Sequence, residues 1–443
     1  MNTPIYDFLT QYSSSDTLRC HMPGHKGRSF SGAMHELSRL DITEIKGADS
    51  LFEADGIIAQ SERNMASLYG SAAAAYSAGG STLCIQAMLA IMKQEGRTVY
   101  AVRNVHRAFL NAAALLGIEV DWIMPEYSGG ILSGRIGPET VRRAMSGSKN
   151  AALYVTSPDY TGRIADIAAL AEVCHDIGAR LIVDNAHGAH LAFFERNIHP
   201  ISLGADMCCD SAHKMLPAFT GAAVLHTSRG EYADKLKGAM GLFGSTSPSY
   251  LIMASLDLCT QYIDGNIRRD LAENVRLANE LRSRFADRLT FADGDPLHIT
   301  VKACENGYDG TELAELLREN GVECEYADSE LMVLLMSPMS VAEDYERLEN
   351  ALDRALCSAK RNQPCRNMGI EMKLPKKAMS IREAVFSPSE EIPVEKAEGR
   401  VCATVNVPCP PAVPIAASGE IIDRGCINIF KRYGIPVVNV VKL

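Results

Sequence analysis

The sequence predicts an α/β protein built on a mostly parallel sheet with helices on both faces, and two observations carry that prediction. Between about residues 60 and 225, short apolar, β-branched runs alternate with amphipathic helical patterns. The unusual polar residues then fall just after the strand-like runs, where ligands of such sheets collect.

Taken in order, residues 81–93 read as a helix, 98–102 as a strand, 107–116 as a helix and 119–124 as a strand. A helix at 140–146, a strand at 151–155 and a helix at 167–177 follow, then a strand at 180–183 that ends on Asp184. An apolar strand is expected at 201–209 and a helix at 251–260. A second pattern starts with a long charged helix, 267–289. Strands near 297–301, 323–326 and 331–335 and helices at 310–319 and 342–357 complete a smaller α/β domain. Residues 358–375 read as a polar linker, and the proline-rich tail from 380 as an irregular accessory unit.

At 443 residues the chain is expected to form two or three packed units. The 47% apolar and 22% charged composition is that of a globular protein. A formal charge of −10 disfavours nucleic acid, which needs a basic surface to displace counterions. The start is too polar for a signal peptide, and no apolar run reaches the roughly 18 residues of a membrane span. Thirteen cysteines without CxxC pairs predict reduced, mostly buried thiols and a cytoplasmic setting, with no disulfide framework. Cys208 and Cys209 read as core, and no metal site is expected.

The strongest local signal is Ser211-Ala212-His213-Lys214, 30 positions after Asp184. A lysine turned inward behind an apolar strand loses solvation, which lowers its pKa and makes it a nucleophile toward an aldehyde. Taken alone, a lysine is a solvated surface residue. Asp184 opens Asp184-Asn185-Ala186-His187-Gly188-Ala189-His190, and a carboxylate at a sheet's mouth suits a buried cation such as a protonated pyridine nitrogen. The plainer reading is a strand-end cap. Gly79-Gly80-Ser81-Thr82 precedes a helix whose free N–H groups favour a phosphate, although an ordinary N-cap would look the same. His106, in Asn104-Val105-His106-Arg107, offers a flat ring that could stack on an aromatic ligand. His21-Met22-Pro23-Gly24-His25-Lys26-Gly27 reads as a ligand-lining loop, since no Asp, Glu or Cys spacing supports a metal there.

Glycine-rich helix start, His, strand-end Asp and then Lys is an order similar to that of fold-type I pyridoxal-phosphate enzymes. Residues 21–27, 104–107, 184–190 and 211–215 resemble the ornithine/lysine/arginine decarboxylase family more closely. So do Ser245-Thr246-Ser247-Pro248-Ser249-Tyr250, Pro410-Pro411-Ala412-Val413-Pro414 and Gly419-Glu420. The likeness covers about residues 4 to 430, nearly the whole chain, in the style of the compact biosynthetic members.

The resemblance implies a large domain with a mostly parallel seven-stranded sheet, spanning residues 1–260 with an N-terminal arm. It implies a small α/β domain at 261–360 and a C-terminal accessory domain at 376–443. It also implies pyridoxal 5'-phosphate bound covalently to Lys214, with Asp184 on the pyridine nitrogen, His106 stacked on the ring and His187 beside it. Ser81, Thr82, Ser211 and His213 would surround the phosphate, and Thr246 and Ser247 would reach the phosphate of a neighbouring subunit in a homodimer. Glu325 would face a substrate's distal cation, and His25 would be a substrate-binding residue. The implied reaction removes CO₂ from a basic L-amino acid, arginine before lysine or ornithine, with His213 or a nearby thiol returning a proton to the α-carbon. Its product would feed polyamine synthesis.

Three positions depart from the family: Asn185 for Glu, Ala212 for Thr and Ala412 for Gly. The competing expectations are an aminotransferase or lyase on the same cofactor, or a non-catalytic binding protein. An aminotransferase would clamp the substrate carboxylate with a late arginine. Arg318 and Arg347 are predicted on exposed helix faces instead.

Overall fold

The computed structural model describes residues 1–29, 31–127, 130–365, 372–404 and 413–442. The first two prolines of the late proline motif, Pro410 and Pro411, lie outside those residues, as do Ala412 and residues 366–371 in the middle of the expected linker. The described chain divides into two compact units, Met1–Glu95 with Arg180–Asp270 and Gly96–Ala179 with Leu271–Leu443.

Seven strands form the main sheet: β1 (Ala73–Ser77), β2 (Thr98–Val102), β3 (Val120–Ile123), β4 (Ala151–Thr156), β5 (Arg180–Asp184), β6 (Met207–Asp210) and β7 (Ala223–Thr227). Their order is β1-β7-β6-β5-β4-β2-β3. β2 runs parallel to β3 and β4, and β5 parallel to β6. β7 is antiparallel to both of its neighbours. Nearly every residue of β4 to β7 is buried, the near-continuous apolar reading expected of strands covered on both faces. Helix α1 (Gly80–Gln94) buries Leu83, Ile85, Met88, Leu89 and Ile91, and helix α2 (Arg107–Leu116) buries Phe109, Leu110 and Ala113.

Gly96–Ala179 aside, the second unit holds two smaller sheets. One is β8 (His298–Val301), β9 (Tyr326–Ala327) and β10 (Met332–Leu335), in order β8-β10-β9, packed with Leu281, Phe285, Leu313, Leu317, Leu348 and Leu352. The other is β11 (Ser389–Pro393), β12 (Cys402–Thr404) and β13 (Val437–Val441), in order β11-β13-β12, with the helix Arg424–Arg432.

Several expectations need correcting. Residues 201–205 form a turn, so the predicted strand at 201–209 starts only at Met207; apolar content cannot separate a buried turn from a buried strand. The strand predicted at 323–326 is confined to Tyr326–Ala327, which leaves Glu325 just outside it. The helix predicted at 140–146 runs Pro138–Ala144 because Pro138 supplies a ready-made first turn. The tail is not irregular: it has its own buried core of Val394, Ile415, Ile422, Ile427, Phe430 and Val440. Cys304 and Cys365 form a disulfide, so the expectation of thiols throughout fails at that pair. No helix among the described residues is long and apolar enough to cross a membrane.

Candidate active site

Asp184 ends β5 and is 2% exposed. One carboxylate oxygen accepts the Ala186 backbone N–H at 3.2 Å and the Cys209 thiol at 3.6 Å, from the residue paired with it on β6. Burial, then the charge of Asp184, pushes the Cys209 thiol well above its usual pKa. It is a proton-bearing donor to Asp184, with no tendency to ionise. Lys214 lies on the one-turn helix Ala212–Met215 that follows β6, and its Nζ is 2.9 Å from His187 Nε2. The structure therefore brings Lys214, His187 and Asp184 onto adjacent strand ends of one unit, as their chain positions suggested. His213 turns its Nδ1 to the Ala222 carbonyl at 3.0 Å, and Ser211 Oγ is 3.4 Å from the same nitrogen.

The glycine pair opens α1. Gly80 takes a φ of +68°, which side-chain-bearing residues rarely adopt, and donates its N–H to Gly221. Gly79 supplies no side-chain cap, so beyond Gly80 the N–H groups of the first turn of α1 suit a phosphate. A cavity of about 250 Å³ forms there, and Thr82, Ser245, Ser247 and Ser249 place hydroxyls around it. Thr82 and Ser247 of the same chain thus share one pocket, while Ser81, Thr246, Ser211 and His213 are not among its lining residues. Ser249 also caps helix α3 (Tyr250–Gly265) through the Ile252 N–H.

His25 pairs with Asp41 at 3.1 Å. In the other unit, His106 caps α2, its Nδ1 accepting the Ala108 N–H at 3.1 Å, which fixes the plane of the ring. Glu325 is exposed and takes a hydrogen bond from the Tyr160 hydroxyl at 2.6 Å. Arg318 is bound by Glu315 and Glu323 on the surface, and Arg347 is exposed, so neither clamps a buried carboxylate.

Sequence reasoning missed a buried polar hub directly behind this site. The Asp210 carboxylate accepts Asn185 Nδ2 at 2.6 Å and His199 Nε2 at 3.0 Å, and His226 Nε2 lies 3.5 Å away. Burial alone would push Asp210 up, but His199 and His226 overcome it and hold the carboxyl well below the usual range. Burial lowers His226. His199, Cys208 and Asp210 bring potential metal donors within 4.8 Å of one another. However, His199 Nδ1 accepts the Ile201 N–H, so Nε2 carries the ring proton and donates it to Asp210. A protonated nitrogen is no ligand, and burial keeps the Cys208 thiol protonated. The cluster is a hydrogen-bond network.

An amine beside an imidazole, a buried carboxylate one strand away and a hydroxyl-lined pocket at a helix start fit pyridoxal 5'-phosphate: aldehyde, ring nitrogen and phosphate each find a chemical partner. On this sheet they define a fold-type I enzyme that uses that cofactor. Solved structures carry the same fold: the lysine decarboxylase LdcF of Francisella novicida matches with a TM-score of 0.84 at 17% identity, over 99% of this chain and 81% of that one. An alanine–glyoxylate aminotransferase from Nostoc sp. matches at 0.56 and 19% identity, over 68% and 86%.

The chain belongs to the Orn/Lys/Arg decarboxylase family, whose major domain matches residues 3–304 and whose C-terminal domain matches 362–433. It is 29% identical to an arginine decarboxylase of Bacillus subtilis over 98% of this chain and 95% of the relative. It is 27% identical to an arginine decarboxylase of Halalkalibacterium halodurans over 98% and 94%. The protein is a pyridoxal-phosphate-dependent decarboxylase of basic amino acids.

Proposed function

We propose that the chain decarboxylates L-arginine for polyamine synthesis, in the cytoplasm, as a homodimer whose active sites are shared between subunits. The observation that carries the site reading is Lys214 Nζ at 2.9 Å from His187 Nε2 with Asp184 buried on the neighbouring strand end.

Lys214 would hold the cofactor through its aldehyde, and His187, 2.9 Å from Nζ, is placed to take the proton that the amine has to lose. Asp184, held by the Ala186 N–H and the Cys209 thiol, keeps a proton on the ring nitrogen. When bound, pyridoxal phosphate supplies an electron sink for the pair left as CO₂ departs. His106, its plane fixed by the cap on α2, would stack on the cofactor's ring. Ser81, Thr82, Ser211 and His213 would hold the phosphate, with Thr246 reaching it across the subunit boundary, while Ser247 already lines the pocket beside Thr82 within one chain. His213, whose Nδ1–H donates to the Ala222 carbonyl, would return a proton to the α-carbon from Nε2 in its doubly protonated, imidazolium form. Glu325 would receive the distal cation, and His25 would line the substrate site; the Tyr160 hydroxyl holds one Glu325 oxygen and leaves the other for a guanidinium N–H.

Arginine is favoured because four relatives named arginine decarboxylase match over 94–98% of this chain, whereas the lysine decarboxylase LdcA of Pseudomonas aeruginosa and the biodegradative arginine decarboxylase of Escherichia coli each match over 61%. Exposed Leu242 and Phe219, in the same unit as the Ser245–Ser249 loop, support a subunit contact there. Assaying CO₂ and amine release from L-arginine, L-lysine and L-ornithine tests the substrate: arginine should give the highest kcat/KM. A higher value for lysine or ornithine would replace it. Full activity in a species that sediments as a monomer would remove the shared site.

A further inference from the structure

Gly419-Glu420 is a motif that the chemistry above leaves without a task. Glu420 is 4% exposed and lies in the C-terminal region, yet its carboxylate receives Arg103 Nη2 at 2.6 Å. The same oxygen accepts the Ala417 N–H at 2.7 Å, so the side chain is fixed from both sides. Arg103 is wholly buried, follows β2 directly, and its guanidinium lies 4.7 Å from the centroid of the Trp122 ring. Its backbone N–H is tied to Ile123 of β3 at 3.0 Å. Asn104 and Val105, both buried, then lead straight to His106. Gly419 shapes the turn that presents Glu420. It has a φ of +89°, and a Cβ there would lie 2.5 Å from the Met379 carbonyl oxygen.

We propose that Glu420 is a positioning residue for His106: through Arg103 it locks the four-residue segment that carries the ring onto the C-terminal domain. A buried arginine has to be matched by a carboxylate, and here the match is 317 positions away in sequence. The C-terminal domain thereby sets the height and tilt of the stacking ring. This rests on the reading that His106 stacks on the cofactor.

The test is a double-mutant cycle on the holoenzyme and its apo form, with Glu420→Gln, His106→Ala and the pair. It reads the pyridoxal-phosphate dissociation constant, the absorbance maximum of the bound chromophore and the melting temperature. Glu420→Gln should weaken cofactor binding about tenfold and shift the maximum in the otherwise native chain, and do neither in the His106→Ala background. Its loss of melting temperature should be the same in both backgrounds. Equal, additive losses of cofactor affinity in both backgrounds would overturn the proposal. An unchanged dissociation constant for His106→Ala alone would instead overturn the stacking role. Should Glu420→Gln not fold, Glu420→Asp, which keeps the charge but shortens the reach, serves in the same cycle with the same expectations.

Discussion

The lysine site and the second unit solve the problem of placing polar groups by opposite means. Around Lys214 the decisive contacts join residues close in sequence. His187 and Lys214 are 27 positions apart, Asn185 and Asp210 25, and Asp184 and Cys209 25. In the second unit they span far more chain: 61 positions for the Cys304–Cys365 disulfide, 165 for Tyr160–Glu325 and 317 for Arg103–Glu420. Adjacent parallel strands bring their ends together whatever the rest of the chain does, so chemistry can be written there in short motifs. Contacts that join domains have no such shortcut.

The largest expected effect falls on the first region. Lys214→Ala should lower kcat by about a thousandfold or more and abolish the bound chromophore, while melting of the apo form stays near native. Borohydride treatment of the native holoenzyme should fix a pyridoxyl label on Lys214, located by peptide mapping. A label on a lysine of the second unit would break the comparison at its root, and a label on any lysine but Lys214 would overturn the assignment.

The next effect belongs to the second unit. The Cys304–Cys365 disulfide closes a 61-residue loop, so Cys304→Ser should cost about 2–4 kcal/mol of stability in denaturant titrations without reductant. With reductant present the variant and the native chain should unfold alike. A difference that persists under reductant would mean that packing, not the crosslink, ties this segment down. Activity should change little, because the pair lies outside the residues assigned to the chemistry.

The hub behind the lysine site gives a smaller, pH-dependent effect. His226 titrates below the ordinary 6.5 of its side chain, because burial disfavours its charged form. Its contribution is complete above pH 6.5 and is lost as pH falls toward the depressed value. Asp210, held below the ordinary 3.8, contributes above that pH and loses its contribution as pH falls further. Stability should therefore decline as pH falls below 6.5 and again below about pH 4. His226→Gln should flatten the first step. Melting scans between pH 4 and 8 that show no such step in the native chain would remove the hub's buried-neutral histidine.

The same contrast explains what the sequence disclosed. The alternation of strand and helix gave the sheet, and the strand-end positions of Asp184 and Lys214 gave the core of the site, because both follow from local period and spacing. Asp210 was passed over although it sits one residue before Ser211. Its importance comes from Asn185, His199 and His226, three residues that no spacing rule connects. The strand expected at 201–209 was overlong because a buried turn is as apolar as a strand. The tail looked irregular because prolines and glycines mask short strands that only their partners reveal, as β11 and β12 do by pairing with β13.

The smallest effect tests the substrate end of that contrast. Glu325 stands exposed just before β9, and its only described side-chain partner is the Tyr160 hydroxyl at 2.6 Å. An exposed glutamate samples several rotamers, and the phenol reduces them to one, which lowers the ordering that the substrate must induce. Tyr160→Phe removes one hydrogen bond worth about 0.5–1.5 kcal/mol, so KM for L-arginine should rise about two- to tenfold with kcat nearly unchanged. Glu325→Gln should raise KM more, and Tyr160→Phe should add little in that background. If Tyr160→Phe lowers kcat and leaves KM alone, the tyrosine acts on the reacting centre, and the distal cation must find its carboxylate elsewhere, with Asp41 beside His25 the next residue to replace.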